Sequence, residues 1–214
     1  MEYFAEEDFE INQPIEAMVE EVEIGGETHP FLFVDGFYRY PDRVERYLAA
    51  TPIKCHRQLA PASRFGKDFL DGRAQHEVRR SDWPACLARI AQFFGRPAPA
   101  PQSRSFNQTL LLRPLPSGTV WWPHQDLGKL NVLIYLNRDF HSGGTSFFLP
   151  VDPVRPIEPE HERPFQSVDD WTEAFCVLGE FNRLVCFSGD LFHAMTLHQG
   201  AWLERTRFTQ VQFC

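Results

Sequence analysis

Between Phe106 and Phe213 the chain reads as seven short apolar runs: FNQTLLLR (106–113), VWWPHQD (120–126), LNVLIYLN (130–137), GTSFFL (144–149), RLVCFS (183–188), LFHAM (191–195) and RTRFTQVQF (205–213). Each is rich in Val, Leu, Phe, Tyr and Thr, and Pro or Gly turns separate them. Short, evenly spaced strands with such punctuation predict an antiparallel β sandwich or barrel. One interruption breaks the series. Residues 150–165 hold Pro150, Pro153, Pro156, Pro159 and Pro164, and proline can neither donate to a ladder nor sit inside a helix. That stretch is a long connection, either a lid over a site or a decorated loop.

Upstream the texture differs. Phe31–Val34 predicts a short strand ending at Asp35-Gly36. A helix is expected over Asp42–Ala50 behind Pro41, and a second from Trp83 to Phe94, capped by Ser81 or Asp82 and stopped by Gly95. Residues 54–80 read as polar and irregular, with Lys54, Arg57, Arg64, Lys67, Arg73, Arg79 and Arg80. This basic stretch is suited to a substrate carboxylate, or to neutralising acidic residues elsewhere in the chain.

The formal charge of −8 is unevenly placed. Ten of the 29 acidic side chains, and none of the 21 Lys and Arg, fall in residues 1–30. The expected organisation is therefore an acidic arm (1–30), solvated or flexible or, less commonly for such a charge block, docked on a partner or on the chain itself, then a helical and loop support region (31–104) and a β core (105–214) within one domain. No basic stripe interleaved with aromatics marks a nucleic-acid binder. No apolar run is long enough for a membrane span. The start MEYFAEEDFE lacks the features of a secretory signal, and five scattered cysteines without a C-x-x-C pair argue against disulfides or a zinc ribbon, so a cytoplasmic location is expected.

Chemistry concentrates around His124-Gln125-Asp126. On a strand, residues i and i+2 face the same way, so an imidazole and a carboxylate stand together. With a second histidine they make the 2-His-1-carboxylate face that holds a divalent metal and leaves positions open. The pair alone is weak: 8 histidines and 29 acidic residues in 214 produce such a motif by chance roughly once. The downstream order adds weight, with Tyr135 near the end of one strand, Gly143-Gly144 turning into the next, and His193 delivered after FNRLVCFSGDLF. In the last run Arg205, Arg207, Thr209, Val211 and Phe213 share one face, while Phe208, Gln210 and Gln212 share the other. An arginine on an interior face needs an anionic partner, because an unpaired buried charge is costly.

On HQD, YLNRDF, SGGTSFF, FNRLVCFSGDLFH and TRFTQVQF, in that order, the sequence resembles the Fe(II)/2-oxoglutarate-dependent dioxygenase superfamily, most closely its prolyl-hydroxylase-like branch. The resemblance covers residues 120–213. It implies a double-stranded β-helix (jelly roll) with flanking N-terminal helices, and Fe(II), 2-oxoglutarate and O2 as cofactor and cosubstrates. His124, Asp126 and His193 would be the iron ligands. Arg207 would clamp the distal carboxylate of 2-oxoglutarate, with Tyr135 and Thr209 beside it. The gap from His193 to Arg207 is longer than in prolyl hydroxylases, which keeps Arg205 as a rival clamp. Halogenating relatives replace the carboxylate ligand by Gly or Ala; Asp126 is present, which favours hydroxylation. The implied substrate is an amino acid, a peptide or a small natural product, and the oligomeric state is left open. Two other readings stand beside this one: a cupin-like metal dioxygenase needing no cosubstrate, and a catalytically silent jelly-roll binding module.

Around these residues, one of Trp121 and Trp122 is expected in the substrate pocket and the other in the core. Asn107 and Gln108 are candidates for a polar contact to substrate or cosubstrate. His29, His56, His76, His141, His161 and His198 are read as structural.

Overall fold

The computed structural model describes residues 6–52, 69–77, 82–97, 103–138, 143–154, 165–196, 202–203 and 205–214. Among them the chain is mostly β, with two α-helices and antiparallel sheets. Strands β1 (Ala17–Ile24), β2 (Glu27–Val34), β3 (Phe69–Glu77), β4 (Ser103–Leu111), β6 (Leu130–Tyr135), β10 (Leu184–Ser188) and β12 (Arg207–Phe213) form one sheet in the order β1-β2-β10-β6-β12-β4-β3. A smaller sheet joins β11 (His193–Met195), β7 (Gly144–Pro150) and β9 (Trp171–Leu178), and β5 (Thr119–Trp121) pairs with β8 (Phe165–Ser167).

The run LNVLIY is buried at all six positions because β6 lies at the centre of the large sheet with both faces covered. Val132 and Ile134 point to one face, where they meet Val44 and Leu48 of α1 (Pro41–Ala50) and Trp83, Leu87 and Ile90 of α2 (Asp82–Phe93). Leu133 and Tyr135 point to the other, against Phe147 of β7, Val177 of β9 and the rings of Phe31 and Phe187. The result is helices, large sheet and small sheet in layers. Fully burying a side chain such as Phe147 is worth about 2–3 kcal/mol.

Both helices begin one residue before the predicted start. Pro41 opens α1, at a position where a missing N–H costs nothing. Asp82 is the first residue of α2, and its Oδ1 accepts from Trp83 N at 2.8 Å. Gly95, at φ +65°, closes α2 while Arg96 N reaches back to Ala91 O at 2.8 Å, the usual glycine ending of a helix. No helix of the described residues is long and apolar enough to cross a membrane.

Two readings of the N-terminal half are corrected. Part of the stretch taken as irregular, Phe69–Glu77, is β3, paired in continuous register with β4 from Phe69↔Leu111 to Glu77↔Ser103. A paired edge supplies backbone partners whatever the local propensity of Asp71 and Gly72. The acidic segment is likewise no loose arm. Phe9 and Ile11 are buried in the helix-side core, and Asp8, Glu10 and Glu6 pair with Arg43 (2.9 Å), Arg39 (2.9 Å) and Arg104 (3.0 Å). Three more of its acids, Glu20, Glu21 and Glu23, lie on β1, an outer strand of the large sheet, and point to solvent. Such charges discourage further pairing at an edge. Gly25 and Gly26, at φ +64° and +83°, make the tight turn into β2, a conformation that two-residue hairpin turns demand. The short strand expected at Phe31–Val34 is the buried end of that longer one.

Residues 155–164 of the proline-rich connection lie outside the described residues. So do 53–68 and 78–81, which carry most of the basic stretch, and the positions of His56, His141, His161 and His198.

Candidate metal centre

His124 and His193 face each other across an isolated antiparallel bridge. Each backbone N–H donates to the other residue's carbonyl, at 3.0 and 2.9 Å. The start of the HQD motif is thereby tied to β11, and both imidazoles emerge on one side, ring centroids 4.5 Å apart. Asp126 is fixed separately. Its N–H donates to Gly189 O at 2.7 Å, and Gly189 N–H donates to Lys129 O at 2.8 Å. Only glycine fits there: a Cβ at 189 would stand 2.4 Å from Asp126 O and 2.9 Å from its Cβ. Asp190 completes the staple, accepting from Gly128 N at 2.8 Å.

One ligand atom from each of His124, Asp126 and His193 lies within 4.8 Å of the others. Asp126 Oδ2 is 3.4 Å from His193 Nε2 and 3.9 Å from His124 Nε2. The ring orientations matter more than the distances. His193 Nδ1 is 2.8 Å from Leu191 O. A carbonyl can only accept, so Nδ1 carries the proton and Nε2 presents its lone pair. His124 Nδ1 faces Trp122 O in the same sense, at 3.4 Å. Backbone carbonyls behind two imidazoles are how metal-ligating histidines are oriented.

The electrostatics suit a cation. Burial, then the neighbouring His193, pushes His124 down to about 4, so its ring is neutral near neutrality. Burial of the Asp126 carboxyl works the other way, but the adjacent His193 and the hydrogen bond donated by the Asn131 amide outweigh it and hold the group at about 2. Two imidazole nitrogens and one ionised oxygen on a single side are the set a first-row divalent ion such as Fe(II) takes. The residues present fit that ion.

Asn131, which the sequence did not single out, completes the centre from β6. Its Nδ2 lies 2.8 Å from Asp126 Oδ2 and 2.9 Å from His193 Nε2, and its Oδ1 is a buried acceptor with no hydrogen-bond partner among the described residues. Behind the site stand Phe187, edge-on to His193 at 5.0 Å, and Phe147. Trp122 stacks flat on His124, centroids 5.0 Å apart and planes 4° apart. Its indole N–H is buried and has no partner among the described residues. Trp121 packs instead with Phe69 and Phe165 in a separate apolar cluster. The His193 side chain is 7% exposed and that of His124 30%, so the centre opens on the His124 side.

A second set of polar groups lies further along the same strands. On β7, Phe147 is the partner of His193, and Thr145, two residues or about 7 Å along, bonds Tyr135 Oη at 2.7 Å. Burial pushes the Tyr135 phenol up to about 12, so it remains a donor. Arg207, 8% exposed, donates from Nη2 to Gly144 O at 2.9 Å and from Nη1 to Thr209 Oγ1 at 3.3 Å. A small cleft is lined by Tyr135, Gly143, Gly144, Trp202, Arg207 and Thr209 among others.

The two arginines stand differently, because β12 begins at Arg207, which lines the cleft. Arg205 precedes the strand, is exposed, and interacts with Glu45 of α1. It is not in the cleft. Gln108 is also reassigned: its amide donates to Leu48 O and Thr51 O at 3.0 and 2.9 Å, closing the end of α1. Asn107, on the opposite face of β4, pairs in register with Thr209.

The chain is similar in structure to a prolyl-4-hydroxylase from Pseudomonas putida. The two share 16% identity and a TM-score of 0.43, over 86% of this chain and 91% of the other. A 2OG-Fe(II) oxygenase family oxidoreductase from Burkholderia pseudomallei gives 14% identity and a TM-score of 0.35, over 94% and 73% respectively. No family model and no curated protein matches the sequence. Likeness at this level says nothing of the reaction, and the chemistry is argued from the chain's own side chains.

Proposed function

We propose that the chain is a non-haem Fe(II)/2-oxoglutarate-dependent oxygenase that hydroxylates a C–H bond of an amino acid, a peptide or a small natural product. The observation that carries this reading is a pair of sites between the facing sheets: a His-Asp-His triad of set tautomer and, reached two residues along β7 from the strand partner of His193, a Thr145–Tyr135 hydroxyl pair with a buried arginine that bonds Thr209 and the Gly144 carbonyl. A five-carbon dicarboxylate has an anionic group for each. The facing sheets are read as a double-stranded β-helix, with 105–214 supplying every proposed ligand and helices α1 and α2 covering the far side of the large sheet.

In this reading His124, Asp126 and His193 hold the ion on one side and leave the rest of its coordination to ligands. With cosubstrate and O2 the iron supplies the oxidising chemistry. Asn131 donates to the Asp126 carboxylate and keeps it turned toward the ion. Arg207 and Thr209, with Tyr135 near them, take the far carboxylate through charge-assisted bonds, which fix orientation as well as affinity. Phe147 and Phe187 keep water from the His193 side. Substrate approaches beside His124 and Trp122, where the centre is open. The four described cysteines are free thiols, which suits the reducing cytoplasm that also keeps iron ferrous.

The test is oxygen uptake and succinate release by the Fe(II)-loaded protein with 2-oxoglutarate. Both are expected, and both should vanish in His124→Ala and His193→Ala. Oxygen uptake indifferent to 2-oxoglutarate would assign the site to a cosubstrate-free, cupin-like dioxygenase. For the substrate, neutralising Arg64, Arg73 and Arg79 is expected to raise KM if the basic stretch recognises a carboxylate; an unchanged KM removes that role.

A further inference from the structure

The cleft at Arg207 is closed by a residue to which the proposed reaction gives no part. Trp202 lies in the connection between β11 and β12. It is 4% exposed and its backbone is left-handed, at φ +61°. That conformation is uncommon for a bulky side chain and persists only where the surroundings enforce it. Here Trp202 O accepts from Leu111 N at 2.8 Å, pinning the residue to the end of β4. The indole lies over Gly143. A Cβ added at 143 would meet Trp202 Cζ2 at 2.7 Å, Cε2 at 3.4 Å and Nε1 at 3.5 Å, so the nitrogen-bearing edge of the ring rests on this glycine. Gly143 and Trp202 both line the cleft with Arg207, Thr209 and Tyr135.

Nε1 of Trp202 is buried and has no hydrogen-bond partner among the described residues. Leaving an indole N–H without an acceptor in a dry place costs stability, and buried Trp ordinarily finds one. An orphaned donor on a strained residue, beside a buried guanidinium and two hydroxyls, is arranged for an acceptor brought by a ligand. We propose that Trp202 Nε1 is a third donor to the carboxylate held at Arg207, and that its contact with Gly143 forms the end wall that limits dicarboxylate length. The proposal rests on reading the Arg207 cleft as the seat of the cosubstrate's far carboxylate.

Calorimetry of 2-oxoglutarate binding to the Mn(II)-loaded protein tests it. Trp202→Phe keeps an aromatic ring and removes the N–H; binding should weaken about tenfold, the worth of one charge-assisted hydrogen bond, with Mn(II) affinity unchanged. Trp202→Leu shortens the wall and should narrow the preference for 2-oxoglutarate over the one-carbon-longer 2-oxoadipate. In the wild-type protein the indole N–H proton resonance that Trp202→Phe lacks, one of five, should move when 2-oxoglutarate is added. Equal binding by Trp202→Phe, or that resonance unmoved in a protein that binds 2-oxoglutarate, overturns this inference and leaves the oxygenase reading intact. Failure of the wild type to bind 2-oxoglutarate at all overturns both.

Discussion

His193 aims the unprotonated Nε2 of its ring at Asp126 Oδ2, 3.4 Å away, because its other nitrogen is committed to the Leu191 carbonyl at 2.8 Å. The ligand pair is set by backbone geometry before any ion arrives. Asn131 joins the two, at 2.8 Å from the carboxylate oxygen and 2.9 Å from the ring nitrogen.

Asn131→Leu should therefore weaken Mn(II) binding by about 10- to 100-fold, the usual effect of losing a group that orients a metal ligand. The far-ultraviolet circular dichroism should not change. Wild-type affinity in this variant would mean that the 125–129 loop alone places Asp126.

Gly189→Ala should damage the same centre through the backbone. The added methyl falls 2.4 Å from Asp126 O, which forces apart the 2.7 Å bond from Asp126 N–H to Gly189 O. A loss of at least about 2 kcal/mol of stability is expected, as for other backbone clashes at a special position, together with loss of Mn(II) binding. Urea denaturation and a metal titration on one sample check both.

Glu6→Gln tests the docking of the N-terminal segment. Arg104 is fully buried, and its Nη1 is 3.0 Å from Glu6 Oε1. Removing the carboxylate charge leaves the guanidinium uncompensated, at a cost of about 3 kcal/mol. Adding Arg104→Met to Glu6→Gln should recover part of that loss. A Glu6→Gln protein as stable as wild type would show that the Glu6–Arg104 pair does not hold the segment.

Thiol titration gives the pH-dependent check. Burial pushes Cys86 up to about 12 and Cys214 up to about 11, and raises Cys186 well above the ordinary thiol. The reactive form is the thiolate, and a raised pKa means less of it at any pH below that value. Near neutral pH these three should react with a disulfide reagent far more slowly in the native protein than in guanidinium, with reactivity rising as pH is raised. Native rates equal to unfolded rates would contradict the burial.

Much of this was legible in the sequence where the signal was local. The all-apolar LNVLIY run and the alternation in RTRFTQVQF follow from strand periodicity, and the structure places Arg207 and Thr209 on one face with Phe208 and Gln210 on the other. HQD does not lie on a strand as its spacing suggested, and only His124 is paired, through its bridge to His193. What was hidden depended on pairing between distant segments. Asn131 looks like any polar residue in a strand until β11 brings His193 to it. Gln108 looks like a site residue until α1 ends against it. Strand β3 is invisible because its partner supplies what FLDGRAQHE lacks. The acids of residues 1–30 announced solvent, yet Glu6, Asp8 and Glu10 reach arginines that are far away in sequence.

The central claim is that three side chains from two distant segments share one ion. Isothermal titration of the apoprotein with Mn(II) addresses it directly, in the wild type and in His124→Ala, Asp126→Ala and His193→Ala. One ion per chain is predicted for the wild type, with each substitution abolishing or severely weakening that single event. Wild-type affinity and stoichiometry in His193→Ala would contradict the account.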